Sequence, residues 1–224
     1  MSEKREIVIP GEFLDKKLGR KAGQGVYVID DKVYSKVLGI ASVGENEISV
    51  IPLAGTYLPK KGDMVIGIIS NVEFSGWTVD INSPYIAFLP LAEGVRGFVD
   101  IYRTDLSKFF DIGDVILCKV LQVTKNKTVQ VSMREIGCKK LKSGVLIKVN
   151  PSKIPRIIGR GGSMINMIKE MTNTTIIAGQ NGRIWIRGKK EDILKAVKAV
   201  ELIEKESQKR GLTEKIKKML GDEK

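Results

Sequence analysis

The stretch IIGRGGSMI at residues 157–165 decides the fold of the C-terminal part of this chain. Its three glycines separate two apolar segments of helical character, so the backbone can turn tightly between two helices. Glycines also let a sugar-phosphate chain come close, and the N–H groups at the start of the second helix favour phosphates. Arg160 adds a positive charge at the loop tip. The stretch therefore predicts a helix–loop–helix that contacts a nucleic-acid backbone.

The segments around this loop predict a compact α+β unit. In chain order they are a strand (143–151), a short helix (151–159), a second helix (163–172), two hairpin strands (174–180 and 182–188), a long amphipathic helix (191–210) and a last short helix (212–220). Ser163 is the predicted N-cap of the second helix, and Gln180-Asn181-Gly182 is the predicted hairpin turn. Gly211 is expected to end the long helix.

The net charge of the chain is concentrated in the same region. The 224 residues carry a formal charge of +12, and residues 138–224 account for all of it, because 1–60 carry +1 and 61–137 carry −1. No acidic residue lies between Glu135 and Glu170, whereas eight basic residues do. A surface of one sign is typical of polyanion binding, since each base near a phosphate releases condensed counterions. A generally lysine-rich protein would instead intermix glutamates, as the last helix does.

The composition excludes several classes of catalytic site. The chain has no histidine, which removes the commonest general base and most zinc sites. Cys118 and Cys138 are its only cysteines, and their spacing suits neither a metal knuckle nor a disulfide framework. Its acids are scattered, and Asp80 and Asp114 are among those expected to lie at solvated loop ends. We therefore expect no enzyme, no metal and no cofactor.

The sequence predicts no targeting signal and no membrane segment. The first residues mix acids with bases and lack the apolar stretch of a signal peptide. No uncharged run approaches the ~20 residues of a membrane helix. We therefore expect a soluble, cytoplasmic protein that does not contact membranes.

The first 137 residues are dominated by β-strand patterns. Four β-branched segments separated by Gly and Asp turns predict strands at 5–13, 25–31, 32–42 and 47–55. Five further strands are predicted at 64–74, 76–82, 84–91, 114–123 and 128–135. The last two are joined by a polar turn at 124–127, and the connection between Gly94 and Gly113 is long enough for a short helix. Five strands of this kind predict a small barrel of the OB type.

The C-terminal motif resembles the core of the KH domain, IGxxGxxI, whose GxxG loop clamps about four backbone nucleotides of a single strand. The middle segment resembles the S1 domain, because Gly62-Asp63, residues 76–81 and residues 110–115 match its GDxVxG, GxxVDI and FxVGDxV signatures. The aromatics that usually flank the GxxVDI glycine are replaced here by Ser75 and Thr78. Base stacking needs correctly aimed aromatics, so a looser grip on RNA is expected of this barrel.

Three other aromatic residues of the barrel segment have two open interpretations. Trp77, Tyr85 and Phe88 suit the barrel core or an interface as well as they suit stacking platforms. Phe74 and Trp77 lie one step away from the positions at which the S1 resemblance places aromatics.

The order of the two motifs, after a β-rich segment with VIPGE at 8–12, is similar to the S1/KH cap subunit of the archaeal RNA exosome, related to yeast ribosomal RNA processing protein four. The resemblance implies a non-catalytic subunit that binds single-stranded RNA, including poly(A)-type tails. Three such subunits sit on a hexameric ring of RNase PH-like subunits and deliver the RNA 3′ end for 3′-to-5′ degradation and processing. The other cap subunit is a further candidate partner.

The predicted fold class is multidomain β plus α+β. It comprises an N-terminal β-rich docking domain (1–60), an S1 (OB-fold) barrel (61–137) and a KH domain with C-terminal helices (138–224). The predicted RNA-binding residues are Gly159, Arg160, Gly161, Gly162, Lys153, Arg156, Lys148, Arg96, Arg103, Lys125 and Lys127.

Two other functions fit parts of these patterns. An S1/KH transcription elongation or antitermination factor would need a second KH segment, and the sequence has one GxxG loop with flanking helices. A ribonuclease acting alone would need a base, a nucleophile or a metal cluster, for which the sequence offers no credible candidate.

Overall fold

The computed structural model describes residues 6–97, 99–207 and 211–221. These residues form two compact units that divide between Gly55 and Thr56. Within the described ranges, every helix is too short or too polar to span a bilayer.

The N-terminal unit consists of two small sheets. Its strands are β1 (Ile7–Val8), β2 (Phe13–Lys16), β3 (Lys21–Ala22), β4 (Val26–Ile29), β5 (Lys32–Ser35), β6 (Gly39–Val43) and β7 (Glu47–Pro52). One sheet has the order β1-β6-β7-β3 and the other β2-β5-β4. Val8, Ala41 and Val50 form the apolar core of the first sheet, with Val26 packed against them.

The predicted single strand at 5–13 is wrong, because β1 ends at Val8 and β2 begins at Phe13 in the other sheet. The predicted single strand at 32–42 is wrong for the same reason. The segment is two strands, β5 and β6, that belong to different sheets. The Ser35 hydroxyl donates to the Val37 carbonyl at 2.6 Å, and this local bond accompanies the bend between the strands. A β-branched run predicts extended backbone but does not report where the chain changes sheet.

The second unit begins with the barrel. Its strands are β8 (Met64–Glu73), β9 (Gly76–Asp80), β10 (Ala87–Pro90), β11 (Val115–Val123) and β12 (Val129–Ser132), followed by β13 (Lys139–Leu141). The first five strands close on themselves, because β12 pairs with both β10 and β11. The connection between β10 and β11 holds the one-turn helix α1 (Leu91–Gly94) and a 3₁₀ turn at Leu106–Lys108. The predicted barrel is thereby confirmed.

Trp77 is the largest side chain of the barrel core and is fully buried. Its indole Nε1 donates to the Phe110 carbonyl at 2.8 Å, and the two rings meet edge to face with centroids 5.0 Å apart. This resolves the open interpretation of Trp77, since a buried and hydrogen-bonded indole cannot stack on a base.

The C-terminal domain has the predicted element order. Its elements are β14 (Val145–Lys148), α2 (Ile154–Ile158), α3 (Ser163–Thr172), β15 (Thr175–Ala178), β16 (Arg183–Arg187), α4 (Lys190–Glu206) and α5 (Leu212–Gly221). The strands form an antiparallel sheet in the order β14-β16-β15. The helices cover one face of this sheet, with Ile157, Ile168 and Val200 in the shared core. Helix α5 adds Leu212, Ile216 and Leu220 to that core.

Two details of the C-terminal prediction change. Ser163 is the first residue of α3 and not its N-cap, because Gly162 occupies the cap position with a φ of 81°. The left-handed conformation at this position suits glycine, which has no Cβ. Helix α4 was predicted to extend to residue 210 and to be ended by Gly211, but it ends at Glu206 with Ser207 as its C-cap, and 208–210 lie outside the described residues.

The barrel and the C-terminal domain share a buried interface. Ile66 of β8, Leu117 of β11 and Trp185 of β16 pack together with Leu141 of β13. Strand β13 was not predicted, and it lies outside the closed barrel as an added strand beside β11. It therefore contributes apolar surface to the interface and leads directly into the C-terminal domain.

Candidate nucleic-acid interface

The glycine-rich loop connects α2 to α3 as the sequence predicted. Gly159 ends α2 with a φ of 75°, and its N–H donates to the Pro155 carbonyl at 3.0 Å. A Cβ at Gly159 would lie 2.8 Å from the Met164 backbone nitrogen, so this glycine is required by close packing. A Cβ at Gly161 would meet nothing within 4 Å, although its φ of 58° still favours glycine. Gly161 is thus the exposed point at which another backbone can approach.

Basic side chains surround this loop on the α2 side. Lys153 ends the 3₁₀ turn before α2, Arg156 lies in α2, and Arg160 follows Gly159 in the loop. Arg156 and Arg160 are exposed and Lys153 is half-buried. The fold therefore brings three of the predicted basic residues to the approach of the loop, on one continuous stretch of chain.

The other predicted basic residues lie in separate places. Lys148 ends β14 and lies close enough to Asp80 to help lower the pKa of that carboxyl. Lys125 and Lys127 lie in the turn between β11 and β12, where the Lys127 ammonium sits 5.9 Å from the centre of the Tyr85 ring. That turn is at the end of the barrel where β8 begins, because Lys119 pairs with Met64.

Arg96 and Arg103 lie in the connection between β10 and β11, and both are exposed. Arg103 forms an exposed ion pair with Asp100 at 3.7 Å. Tyr102, beside Arg103, contacts Phe74 at the tip of the β8–β9 hairpin, with ring centroids 5.7 Å apart. This tip is the end of the barrel opposite to the start of β8. The predicted barrel residues thus form two groups and not one surface.

The two positions at which the S1 resemblance expects aromatics have other roles. Ser75 is exposed at the hairpin tip, and the Thr78 hydroxyl donates to the Glu73 carboxylate. Phe88 and Tyr85 are half-buried and Tyr85 packs against the barrel core. The exposed aromatics of the barrel are Phe74 and Tyr102 among the described residues.

The sequence analysis missed a polar network between the barrel and the C-terminal domain, which we call the junction and define by Asp80, Asn181 and Arg183. Asn181 is fully buried, and its amide donates to the carbonyls of Ile66 and Ile81, both at 2.8 Å, while its Oδ1 accepts from the Ile66 N–H at 3.2 Å. The side chain of Asn181, which was predicted as part of a hairpin turn, therefore forms hydrogen bonds to the backbone of the barrel, a different domain.

The expectation that Asp80 lies at a solvated loop end is incomplete, because its carboxylate also belongs to the junction. It accepts from Arg183, whose guanidinium is almost fully buried, at 2.5 Å. Burial acts to raise the pKa of the Asp80 carboxyl, but the Asn82 N–H and the Arg183 guanidinium together outweigh it and hold the pKa below its ordinary value. Asp114 is likewise paired, with Lys140 of β13. The basic residues that pair with Asp80 and Asp114 are distant from them in the sequence, so no local pattern indicates these pairs.

Within the described ranges, no three His, Cys, Asp or Glu side chains come together in a way that could hold a metal ion. Cys118 is buried in the barrel core, and this burial raises the pKa of its thiol. The arrangement offers loops, exposed cations and exposed rings, which are groups suited to binding a polyanion.

Known proteins resemble the chain along almost its whole length. Three family models match it: the Exosome RNA binding protein RRP4 N-terminal domain over residues 5–54, the RRP4 S1 domain over 56–122 and the KH domain over 144–202. The exosome complex component Rrp4 of Pyrococcus horikoshii is 45% identical over 221 residues, which cover 97% of this chain and 83% of that protein. The component of the same name from Methanothermus fervidus is 44% identical over 222 residues, covering 97% of this chain and 96% of that protein.

A solved structure agrees with these relatives. A crystal structure provisionally described as that of an exosome complex RNA-binding protein superposes with a TM-score of 0.70 at 32% sequence identity. The match covers 75% of this chain and 97% of that one.

Proposed function

Because the chain belongs to the Rrp4 family of archaeal exosome components, we propose that it is a non-catalytic cap subunit that binds single-stranded RNA. The observation that carries this proposal is the exposed loop at Gly161, with three basic residues at its approach. The relatives' shared name and the S1 and KH family models support it. In this proposal the protein works in the cytoplasm.

The loop performs the binding through its backbone. The exposed edge at Gly161 accepts a sugar-phosphate chain, and Lys153, Arg156 and Arg160 neutralise its phosphates. Such contacts position a strand without reading its bases, so poly(A)-type tails and other sequences bind alike. Lys148, Arg96, Arg103, Lys125 and Lys127 add positive charge along the second unit.

The N-terminal region, residues 1–60, docks on protein. In the sheet β2-β5-β4, the rings of Phe13, Tyr34 and Tyr27 form a row, with centroids 5.8 Å and 5.5 Å apart. Phe13, Tyr27 and Ile29 are exposed. An exposed apolar face of this kind suits a protein partner better than RNA, because residues 1–60 are nearly neutral. The partner is a ring of RNase PH-like subunits, three cap subunits to one hexameric ring, which receives the RNA 3′ end.

A pair of matched glycine variants tests the binding role. Gly161→Asp puts a Cβ and a negative charge at the open side of the loop. Gly211→Asp makes the same change between α4 and α5, where the φ of 73° is also positive and a Cβ would also meet nothing within 4 Å. Binding of fluorescent poly(A) to the full chain should fall at least tenfold with the first variant and stay near wild type with the second.

The outcome that contradicts this proposal is equal binding by the two variants, or no binding by the wild type. The docking role is tested separately with ring subunits: a chain without residues 1–55, which form the N-terminal unit, should lose co-purification with the ring and keep RNA binding. Retained co-purification would overturn the docking assignment.

A further inference from the structure

Two exposed aromatic rings form a pair at the end of the barrel farthest from the junction. Phe74 is 62% exposed and Tyr102 is 86% exposed, yet their rings contact edge to face with centroids 5.7 Å apart. Phe74 lies at the tip of the β8–β9 hairpin, and Tyr102 comes from the connection between β10 and β11. Two large rings on separate segments are thus held together in solvent. They expose apolar surface to water and do not contribute to the barrel core.

We propose that Phe74 and Tyr102 form a base-stacking site for single-stranded RNA. The proposal rests on the RNA-binding function proposed above and specifies a second contact point for the same ligand. Aromatic faces stack on bases of any sequence, and they require bases that are not already stacked in a duplex. The largely exposed ring of Tyr102 offers a face, while its edge contact with Phe74 limits its freedom.

An exposed cation next to the pair suits the phosphate of a nucleic acid. Arg103 follows Tyr102 directly, its side chain is 88% exposed, and its partner Asp100 contacts it only at 3.7 Å. Exposed ion pairs of this kind contribute little, so the guanidinium can exchange a carboxylate for a phosphate at small cost. Arg96 adds a second exposed cation in the same connection.

The location of the pair predicts how it works together with the loop at Gly161. The C-terminal domain contacts the barrel at Ile66 of β8, and Phe74 follows the end of the same strand. Eight residues of strand span at most about 27 Å. An oligonucleotide of about four residues has the length that a GxxG loop clamps, whereas a longer strand supplies further bases that can stack on the pair.

The test uses the full chain and four variants in titrations of fluorescent oligo(A). Tyr102→Ala and Phe74→Ala should each weaken binding of a 20-mer by about 5- to 150-fold, the range that loss of one stacked base gives. Tyr102→Phe keeps the ring and should bind like the wild type. Ile136→Ala removes a fully exposed apolar side chain elsewhere and is the control for general surface effects.

Three further measurements separate stacking from charge. Tyr102→Ala should leave the salt dependence of binding unchanged, whereas Arg103→Ala should reduce the slope by about 0.7, as loss of one phosphate contact does. A 20-mer with abasic residues should bind wild type and Tyr102→Ala equally. A 4-mer has only the length that the loop clamps, so its binding should change less in Tyr102→Ala than that of the 20-mer.

The inference is overturned if the wild type binds the 20-mer and the double variant Phe74→Ala/Tyr102→Ala binds it equally well. It is also overturned if the abasic 20-mer shows the same loss as the normal one, or if the double variant loses co-purification with ring subunits while its RNA affinity is unchanged. Absence of RNA binding by the wild type would instead refute the proposed function itself.

Discussion

Asn181 should contribute strongly to the stability of the junction, and its replacement by alanine tests that interface without removing a charge. The side chain is fully buried and makes three hydrogen bonds to the backbone of β8 and the end of β9. In Asn181→Ala the Ile66 N–H and the Ile81 carbonyl lose the partners that the structure shows. The Ile66 carbonyl keeps a bond from Arg183 at 3.2 Å.

The expected loss in the free energy of unfolding follows from the number of buried polar groups that Asn181→Ala leaves without a hydrogen-bond partner. A buried polar group without its hydrogen bond costs about 1–3 kcal/mol, so two such groups cost about 2–6 kcal/mol. Partial entry of water reduces this figure, and we expect a loss of about 2–4 kcal/mol in the free energy of unfolding. A urea titration of the second unit, followed by the fluorescence of Trp77 and Trp185, measures it.

Asn82→Ala is the matched control, because Asn82 donates a single bond to the Asn181 carbonyl at 2.8 Å and is only half-buried. It should cost about 0.5–1.5 kcal/mol for the lost hydrogen bond, and about 1 kcal/mol more because alanine adopts the left-handed φ of 56° less readily than asparagine does. Hydrogen exchange at the Ile66 amide should accelerate in Asn181→Ala and much less in Asn82→Ala. If Asn181→Ala unfolds within about 0.5 kcal/mol of the wild type, a typical surface effect, then the junction network does not stabilise the interface as argued.

Three other predictions concern separate parts of the second unit. Because the pKa of Asp80 is lowered in the folded state, its contribution to stability should be complete above the ordinary carboxyl pKa of about 3.9 and should be lost as the pH falls through the folded pKa. In Asp80→Asn the urea midpoint should therefore depend less on pH in the acid range. A pH profile equal to that of the wild type would refute this. Gly94→Ala should destabilise the barrel by about 1–3 kcal/mol, since its Cβ would lie 2.7 Å from the Trp77 ring, and a melting curve equal to that of the wild type would contradict this packing. Neutralising Lys153 and Arg156 together should reduce the salt slope of RNA binding by about 0.7 per lost phosphate contact, and by the same amount for different RNA sequences. A loss of affinity for some sequences only would instead indicate that these residues read bases.

The sequence alone determined the fold class and the position of the candidate site. The glycine loop at 157–165, the hairpin after it and the amphipathic helices are local patterns, and the structure has each of them within a few residues. The strands of the barrel are equally local, because alternation and turn residues report on neighbouring positions. Local patterns therefore predicted which elements form and in what order.

Only the tertiary structure decided which side chains meet. Asn181 and Ile66 are 115 positions apart, and nothing near either residue in the sequence indicates the other. The Phe74–Tyr102 pair likewise joins a hairpin tip to a connection that carries no strand pattern, and the break between β5 and β6 depends on which sheet each strand joins. Such contacts are set by how the closed barrel and the C-terminal domain bury their apolar faces together. Burial depends on the approach of distant segments, whereas periodicity records only the neighbours of each residue along the chain.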